Sequence, residues 1–220
     1  MKILLVIVST ALVVYFMPKG DEFGYKYELD RPWNYGLLIA NTKFPILKND
    51  STLRKEQEAT TRNFQPYYNL EESVKDSMVG RLYNYAANEW QGQNSAMYVH
   101  HIAVLLDTIY RHGVLSVEDY TQQSDEEHHK NIRIVNDNLA TSVPLSSVYS
   151  PRSAYKYIMS ADTAKYSRLV LLQYNINELI QPNLTYDEMM SKEELDEQLQ
   201  AISNYNGFVQ AGQKIIDRGE

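Results

Sequence analysis

The carboxyl-terminal part of the sequence combines a turn, a capped helix and a β segment punctuated by glycine. The turn reads Pro182-Asn183-Leu184-Thr185-Tyr186-Asp187, and the β segment reads Gly207-Phe208-Val209-Gln210-Ala211-Gly212-Gln213-Lys214-Ile215-Ile216-Asp217-Arg218-Gly219-Glu220. Between them, Ser191-Lys192-Glu193-Glu194 fits a capping box and predicts the start of a helix. Short strands are predicted at Gly207–Gln210 and Lys214–Asp217. The inner face of the helix is predicted to consist of Leu195, Leu199 and Ile202.

Length and composition describe an ordinary folded chain with an acidic balance. The 220 residues are 44% hydrophobic and 22% charged, which is enough for one large domain or two small ones. The net charge of −7 disfavours sequence-independent binding to nucleic acid phosphates. The absence of cysteine excludes disulfides, thiol catalysis and thiolate zinc sites.

The amino terminus carries an apolar run from Ile3 to Met17, interrupted by Ser9 and Thr10. A helix that spans a bilayer needs about 18–20 apolar residues, so the run is slightly short. Bulky residues at its end do not fit a signal-peptide cleavage site, which favours an uncleaved anchor over residues 1–18. A cleaved signal and a buried segment are the alternatives. The charges around the run predict that the amino terminus lies inside and that residues 19–220 face outward.

The first half of the chain after this anchor is expected to be mainly helical. An alternating pattern over residues 23–29 predicts one strand before the helices. A polar helix, capped by Asp50 or Ser51, is expected to end near Asn63, and a second helix is expected over residues 71–89. A third helix is expected over residues 95–112, with Gly113 as its C′ residue. The apolar face of this third helix is predicted to consist of Val99, Ile102, Leu106 and Ile109.

Shorter elements are expected in the second half. The polar residues 122–130 predict a loop tip, and residues 131–135 and 143–148 are strand candidates. Ser150-Pro151 predicts a helix start, and Asp162 is expected to restart that helix before Pro182. Its apolar stripe is predicted to consist of Leu169, Leu172, Ile176 and Leu179. No clear linker divides the chain, so the predicted fold class is α+β and helix-dominated, with short strands, preceded by one N-terminal transmembrane helix.

No set of residues forms a convincing active site, and no catalytic, cofactor-binding or metal-binding residue is assigned. His101 and His112 are eleven positions apart and share nearly one helix face, but further ligands are lacking there. The run Asp125-Glu126-Glu127-His128-His129 has the right ligand types in a polar segment. Structural histidines and a solvated loop are therefore the expected interpretations.

Three further patterns have ordinary explanations. The segment Gly207 to Lys214 is similar to a phosphate loop, but Gln213 breaks the required Gly-Lys pair, so a β-hairpin or bulged strand is expected. Asn49-Asp50-Ser51 and Asn183-Leu184-Thr185 match the glycosylation acceptor pattern, which often arises by chance. Core packing is also the expected role of three candidate pocket aromatics, Trp33, Tyr35 and Trp90.

Several segments resemble the amino-terminal part of membrane-bound HD-family phosphohydrolases of the form found in Bacteroidetes. The most specific are Pro182–Asp187 and Val209–Glu220. The other segments that carry the resemblance are the anchor running into Pro18-Lys19, then Phe23-Gly24-Tyr25-Lys26-Tyr27-Glu28, Pro32-Trp33, Phe44-Pro45-Ile46-Leu47-Lys48 and Phe64-Gln65-Pro66-Tyr67-Tyr68.

The resemblance implies a seven-transmembrane protein whose extracytoplasmic domain lies between the first membrane helix and the others. A cytoplasmic HD domain in that family binds two divalent metals and hydrolyses cyclic di-AMP through a His…His-Asp…Asp ligand set. No His-Asp dipeptide occurs in this sequence, so no catalytic residue is carried over. The two metals are expected in an HD domain outside these 220 residues, and the chain is expected to be truncated before it.

The expected function is therefore sensing or regulation by an extracytoplasmic domain. The expected partners are the bacterial inner membrane, through residues 1–18, and an unknown ligand of the periplasmic residues 19–220, with no nucleic acid. The oligomeric state stays open. A self-contained anchored binding or scaffold module is the main alternative, and an independent periplasmic hydrolase is a weaker one.

Overall fold

The computed structural model describes residues 2–16, 25, 27–89, 95–124 and 131–220. Helices dominate the described residues and the strands are short, so the predicted α+β class is confirmed. The helices are α1 (Lys2–Phe16), α2 (Asp50–Asn63), α3 (Glu72–Glu89), α4 (Ser95–His112), α5 (Val117–Ser124), α6 (Pro151–Ser160), α7 (Arg168–Leu171) and α8 (Glu188–Gln200). The strands are β1 (Leu38–Ile39), β2 (Phe44–Leu47), β3 (Tyr67–Leu70), β4 (Asn131–Asn136), β5 (Leu139–Pro144), β6 (Leu184–Tyr186), β7 (Tyr205–Val209) and β8 (Lys214–Ile216).

The chain divides into two compact units. The first unit combines the two ends of the chain, Met1–Lys48 and Asn204–Glu220, and the second consists of Asn49–Ser203. The sequence shows no linker for this division because the first unit is assembled from two segments that are far apart along the chain. The absence of a linker pattern in the sequence is therefore compatible with a chain of two units.

The helical core of the second unit is built around α4. The predicted face of this helix is buried, with Val99 4% exposed and Ile102, Leu106 and Ile109 fully buried. Helix α3 packs against α4 and contributes Leu82, which is also fully buried. Because the four α4 side chains recur three and four positions apart on one side of the helix, the apolar pattern predicted the packing face of α4 correctly.

A four-stranded sheet in the order β5-β4-β3-β6 forms the other part of the second unit. Strands β3 and β4 are parallel, with Tyr67 opposite Arg133, and the remaining pairs are antiparallel. A second apolar cluster joins this sheet to the segment after α4. Its buried members are Tyr68, Leu115, Ile132, Leu145, Val148 and Leu184.

The buried side chain of Asn183 joins the end of α4 to the start of β6. Its Oδ1 accepts a hydrogen bond from the Val114 N–H at 2.7 Å, and its Nδ2 donates to the Tyr110 carbonyl at 3.0 Å. The Tyr110 carbonyl lies in the last turn of α4, where carbonyl groups have no partner within the helix. Asn183 therefore satisfies two backbone groups that the end of the helix would otherwise leave unpaired.

The first unit contains two antiparallel strand pairs that join its two segments. Strand β1 pairs with β8, and β2 pairs with β7. The Trp33 N–H donates to the Glu220 carbonyl at 2.8 Å, and the Gly219 N–H donates to the Trp33 carbonyl at 2.9 Å. The two strands predicted near the carboxyl terminus are confirmed, but they do not form a hairpin with each other, because each pairs with a strand from the amino-terminal segment.

Two predicted elements after residue 160 are wrong. Asp162 adopts a positive φ of 48° in a turn and does not restart the helix, which ends at Ser160. The segment that follows is a four-residue helix and two 3₁₀ turns, so a 3.6-residue period does not describe it. As a result, Leu169 and Leu172 of the predicted stripe are exposed, whereas Ile176 and Leu179 are buried.

Helix α8 begins earlier than its sequence pattern predicts. Asp187 is its N-cap, and Ser191, the predicted capping residue, lies inside the helix with a buried side chain. The pattern Ser-Lys-Glu-Glu resembles a capping box, but the Asp187 carboxylate already accepts the Met190 N–H at 2.9 Å. Similarly, the N-cap of α2 is Asn49 and not Asp50 or Ser51.

Three predicted loops and strands also differ from the structure. Residues 122–124 of the predicted loop tip belong to α5, and residues 125–130 lie outside the described residues. The strand predicted at 143–148 is shifted, since β5 ends at Pro144 and a 3₁₀ turn follows. In the strand predicted at 23–29, Tyr27 and Glu28 have no regular structure and Leu29 begins a turn, whereas Phe23, Gly24 and Lys26 are not among the described residues.

The apolar amino-terminal run forms a helix of 15 residues, α1. Within the described ranges, no helix has both the length and the apolar character needed to cross a membrane. The predicted transmembrane span over residues 1–18 is therefore not found in the described part of the chain.

Candidate functional site

The second unit contains a cleft with a volume of about 980 Å³. Helices α2 and α8 form its walls, and residues of β3, β6 and α5 complete it. A cleft of this volume is at the upper end of the range for small-molecule sites, about 300–1,000 Å³. Its lining residues are Arg54, Gln57, Glu58, Thr61, Arg62, Phe64, Pro66, Tyr68, Asp119, Gln122, Gln123, Tyr186, Glu188, Ser191, Lys192, Leu195 and Leu199.

The α2 wall is a polar helix face. Arg54, Glu58 and Arg62 are spaced four residues apart, so their side chains form one row along the helix. The helix itself buries none of its residues, and Asn49 stabilises its start by accepting the Thr52 N–H at 2.7 Å. The helix therefore lies on the surface of the second unit, in keeping with its polar sequence.

The α8 wall is fixed to the central strand β3. The Ser191 hydroxyl oxygen accepts the Tyr67 N–H at 2.9 Å, and the Asp187 N–H donates to the Tyr67 carbonyl at 2.9 Å. Arg133 donates to the Tyr67 hydroxyl and lies 3.5 Å from the Glu194 carboxylate. These contacts hold the helix in one place relative to the sheet, so this side of the cleft is preformed.

The N-cap of α8 adds a further contact to β3. The Asn69 amide donates to the Asp187 carboxylate at 2.9 Å. Hydrogen bonds from the Met190 N–H and then from Asn69 lower the pKa of Asp187, because they stabilise the ionised carboxylate. The same carboxylate therefore caps the helix and attaches it to the sheet.

The floor of the cleft contains Tyr68, Asp119 and Gln123. Burial raises the pKa of Tyr68, the nearby Asp119 carboxylate raises it further, and a hydrogen bond with the Gln123 side chain acts in the opposite direction. Ser116 orients Asp119, since its hydroxyl donates to Asp119 Oδ2 at 2.7 Å and accepts the Asp119 N–H at 3.0 Å. The Tyr68 hydroxyl therefore stays protonated at neutral pH.

Gln123 is the residue of the floor whose hydrogen bonding is incomplete. Its side chain is 7% exposed, and its Oε1 is buried without a hydrogen-bond partner among the described residues. A buried polar atom without a partner costs about 1–3 kcal/mol, so such atoms are rare in folded proteins. Gln123 also lines the cleft, so this unpaired acceptor lies directly below the surface of the cleft floor.

The charged side chains of the cleft are also free of internal ion pairs. The cations Arg54, Arg62 and Lys192 and the anions Glu58, Asp119 and Glu188 line it in equal number. None of the six forms an ion pair within the part of the chain that the structure describes. The cleft therefore offers charges of both signs to a ligand.

The described histidines all lie on α4, at positions 100, 101 and 112. None of them lines the cleft. His101 stacks on Tyr166 with a ring-centroid distance of 3.6 Å, and His112 Nδ1 lies 2.8 Å from the Thr108 carbonyl oxygen. Across the described ranges, no three His, Cys, Asp or Glu residues are close enough to hold a metal ion. His128 and His129 lie outside those ranges.

The other candidate residues lie elsewhere. Trp33 is 7% exposed, packs with Tyr35 and Tyr25, and donates from Nε1 to the Gly36 carbonyl, so it has the expected core role in the first unit. Trp90 is not among the described residues. The buried Asn183 is not accessible for glycosylation in the folded chain. Gly207 lies in β7, and its partner is β2, as expected for a strand and not for a phosphate loop.

The sequence did not single out the cleft. Its residues come from five elements between positions 54 and 199, and the sequence does not predict how α2, α5 and α8 assemble. One usable signal was the row of charged residues on α2, which has no apolar face for the core. Gln123 carries no signal, because its burial depends on contacts made by the rest of the fold.

The fold defines an α+β domain with a polar cleft and with the segment from Trp33 to Leu47 paired to the carboxyl-terminal segment. Residues 38–220 match the family model described as 7TM-HD extracellular. The chain belongs to this family, and the matched region is the extracellular domain of a membrane protein of the seven-transmembrane HD class. No curated protein and no solved structure shows significant similarity to the chain.

Proposed function

We propose that residues 19–220 form the sensory domain of a membrane-bound HD-family phosphohydrolase and that residues 1–18 anchor it in the bacterial inner membrane. In this proposal the domain is periplasmic, and a cytoplasmic HD domain with two divalent metals hydrolyses cyclic di-AMP. The match of residues 38–220 to the 7TM-HD extracellular family is the observation that carries the proposal.

The paired ends of the chain support this arrangement. Trp33 is bonded to Gly219 and Glu220, so the entry and the exit of the domain lie within hydrogen-bonding distance of each other. A domain inserted between two neighbouring membrane helices requires entry and exit points that are close together. The strand pairs β1–β8 and β2–β7 supply that proximity without the second unit.

The proposed signal passes from the cleft to the metal site through the membrane segments. A ligand shifts such an equilibrium only if it binds one state of the protein more tightly than the other. The chain leaves the paired strands at Lys48 and returns to them at Asn204, so residues 49–203 are connected to the first unit at both ends. None of the residues of this chain takes part in the hydrolysis.

The test has a genetic and a biochemical part. The gene is read past codon 220, and its full natural product is expressed in membranes that are then assayed for cyclic di-AMP hydrolysis. We expect further hydrophobic spans, a His-Asp motif and metal-dependent hydrolysis above an empty-vector control. A stop codon after codon 220 in a well-supported frame, or membranes without hydrolysis, would favour a self-contained anchored binding module instead.

A further inference from the structure

The floor of the cleft is an acceptor site. Gln123 Oε1 is buried without a partner among the described residues, and the Asp119 carboxylate is half-buried beside it in the lining. Only one of the Asp119 oxygens receives the Ser116 hydroxyl. A ligand that places N–H donors here gains hydrogen bonds that the folded chain cannot make by itself. A protonated amine fits best, because it also neutralises Asp119.

The rim of the cleft is a donor site for anions. Arg54, Arg62 and Lys192 are exposed and form no ion pair within the described residues. Arginine binds a carboxylate through two parallel hydrogen bonds, so the α2 row suits that group. The equal number of cations and anions in the lining argues against a polyanion, which a site of one sign would bind more tightly.

The row of cations on α2 indicates the scale of the cleft. Arg54 and Arg62 are eight residues apart along α2, which corresponds to about 12 Å at the helical rise. This is about the length of an extended chain of three or four amino acids. Phe64, Leu195 and Leu199 add apolar surface to the lining, where side chains of a ligand can pack.

We propose that the cleft binds a short peptide with free ends, its amino group at Asp119 and Gln123 and its carboxylate at Arg54 or Arg62. The proposal rests on the sensory part of the proposed function and names the ligand class that the sensor takes. The apolar lining then selects among the side chains of the peptide, and the row of charged residues selects its length.

The experiment measures ligand-induced thermal stabilisation of the full 220-residue chain in detergent by its tyrosine and tryptophan fluorescence. The probes are a mixture of random tripeptides with free ends, the same mixture with acetylated amino ends, and the same mixture with amidated carboxyl ends. A neutral chitin oligosaccharide tests the carbohydrate alternative. We expect the free-ended peptides to raise Tm by several degrees and each blocked mixture to raise it much less.

Two variants test which residues of the cleft bind each end of the peptide. In R54A/R62A, the free and the amidated mixtures should give equal shifts, because the groups that distinguish them are gone. In Q123M, the free and the acetylated mixtures should become more alike, since the floor has lost one acceptor. Lys55→Ala, a change on an exposed α2 residue outside the lining, is the matched control and should behave like the natural chain.

The proposal is overturned if free-ended peptides give no shift, if the oligosaccharide alone stabilises the chain, or if R54A/R62A still distinguishes the amidated mixture. Equal stabilisation by all peptide mixtures would also overturn it. If this binding test fails, the family membership of the chain and the proposed cyclic di-AMP hydrolysis are not affected. Conversely, membranes without hydrolysis would leave the peptide site standing.

Discussion

Gly113 shows how one residue sets the approach of two elements. It ends α4 with a φ of 91°, and its N–H donates to the Ile109 carbonyl at 3.0 Å. A Cβ at this position would lie 2.5 Å from Leu184 Cδ1, which is a buried atom of β6. The position therefore needs glycine both for its backbone conformation and for space.

Gly113→Ala should lower the free energy of unfolding by roughly 2–4 kcal/mol, since the left-handed backbone and the contact with Leu184 each add a cost. Gly80→Ala is the matched control, because Gly80 lies in α3 with nothing within 4 Å of its added Cβ. That change should instead stabilise the chain by about 0.5–1 kcal/mol. Urea unfolding of the two variants measures both effects, and similar losses in both would contradict the structure.

His101 should make the stability of the chain depend on pH. Burial lowers its pKa below the usual 6.5, and Lys165 and His100 act in the same direction, while Asp162 and a backbone bond to Ala161 oppose it. The folded chain therefore binds a proton at His101 less readily than the unfolded chain does. The contribution of neutral His101 to folding stability is fully present above the pKa that His101 has in the unfolded chain. It is lost as the pH falls through the lower pKa that His101 has in the folded chain.

Urea unfolding at several pH values between 7.5 and 5 measures this contribution. The natural chain should lose stability towards acid more steeply than His101→Phe, which keeps a ring against Tyr166 and has no proton to bind. Parallel curves for the two proteins would show that His101 does not contribute to the pH dependence.

The role of Gly113 could be predicted from the sequence more fully than the role of His101. Gly113 was predictable because a glycine after a periodic apolar helix is a strong end signal, and His101 was expected to be structural for lack of further ligands. The stacking on Tyr166 was not predictable, because the two residues are 65 positions apart and the contact depends on how α4 packs.

Among the secondary-structure elements, long helices with a periodic apolar pattern were predictable. Short elements and the pairing of strands that are far apart in the sequence were not. Helix α4 matches its prediction at both ends, since apolar spacing and glycine mark it. The pairing of β2 with β7 could not be predicted, because strand patterns carry no information about a partner more than 150 residues away. A local hairpin was the simplest expectation, and the structure replaces it with pairing between the two ends of the chain.

The β2–β7 register can be tested by a disulfide, because the chain has no cysteine of its own. Phe44 lies opposite Val209, so Phe44→Cys with Val209→Cys should form an intramolecular disulfide under mild oxidation. Phe44→Cys with Phe208→Cys is the control, since Phe208 points to the other face of the ladder. Mass spectrometry detects the loss of two hydrogens, and equal cross-linking in both pairs would contradict the register.

The sensory role proposed for the whole molecule depends on the side of the membrane where the domain lies. The family match assigns residues 38–220 to an extracellular domain, and the paired chain ends are consistent with a domain between membrane segments. The cleft and its proposed peptide have a sensory role only if that side is outside. The proposed sensory function therefore requires that residues 19–220 lie outside the membrane.

Cysteine labelling in spheroplasts measures that orientation directly on the product of the natural gene. Residues 1–220 contain no cysteine. Any cysteine elsewhere in the gene product is first replaced by serine, so that Glu193→Cys, at an exposed position of α8, and Lys2→Cys each provide a single labelling site. A maleimide that cannot cross the membrane should label Glu193→Cys in intact spheroplasts and Lys2→Cys only after lysis. Protection of Glu193→Cys until lysis would contradict the extracytoplasmic assignment and, with it, the proposed sensory function.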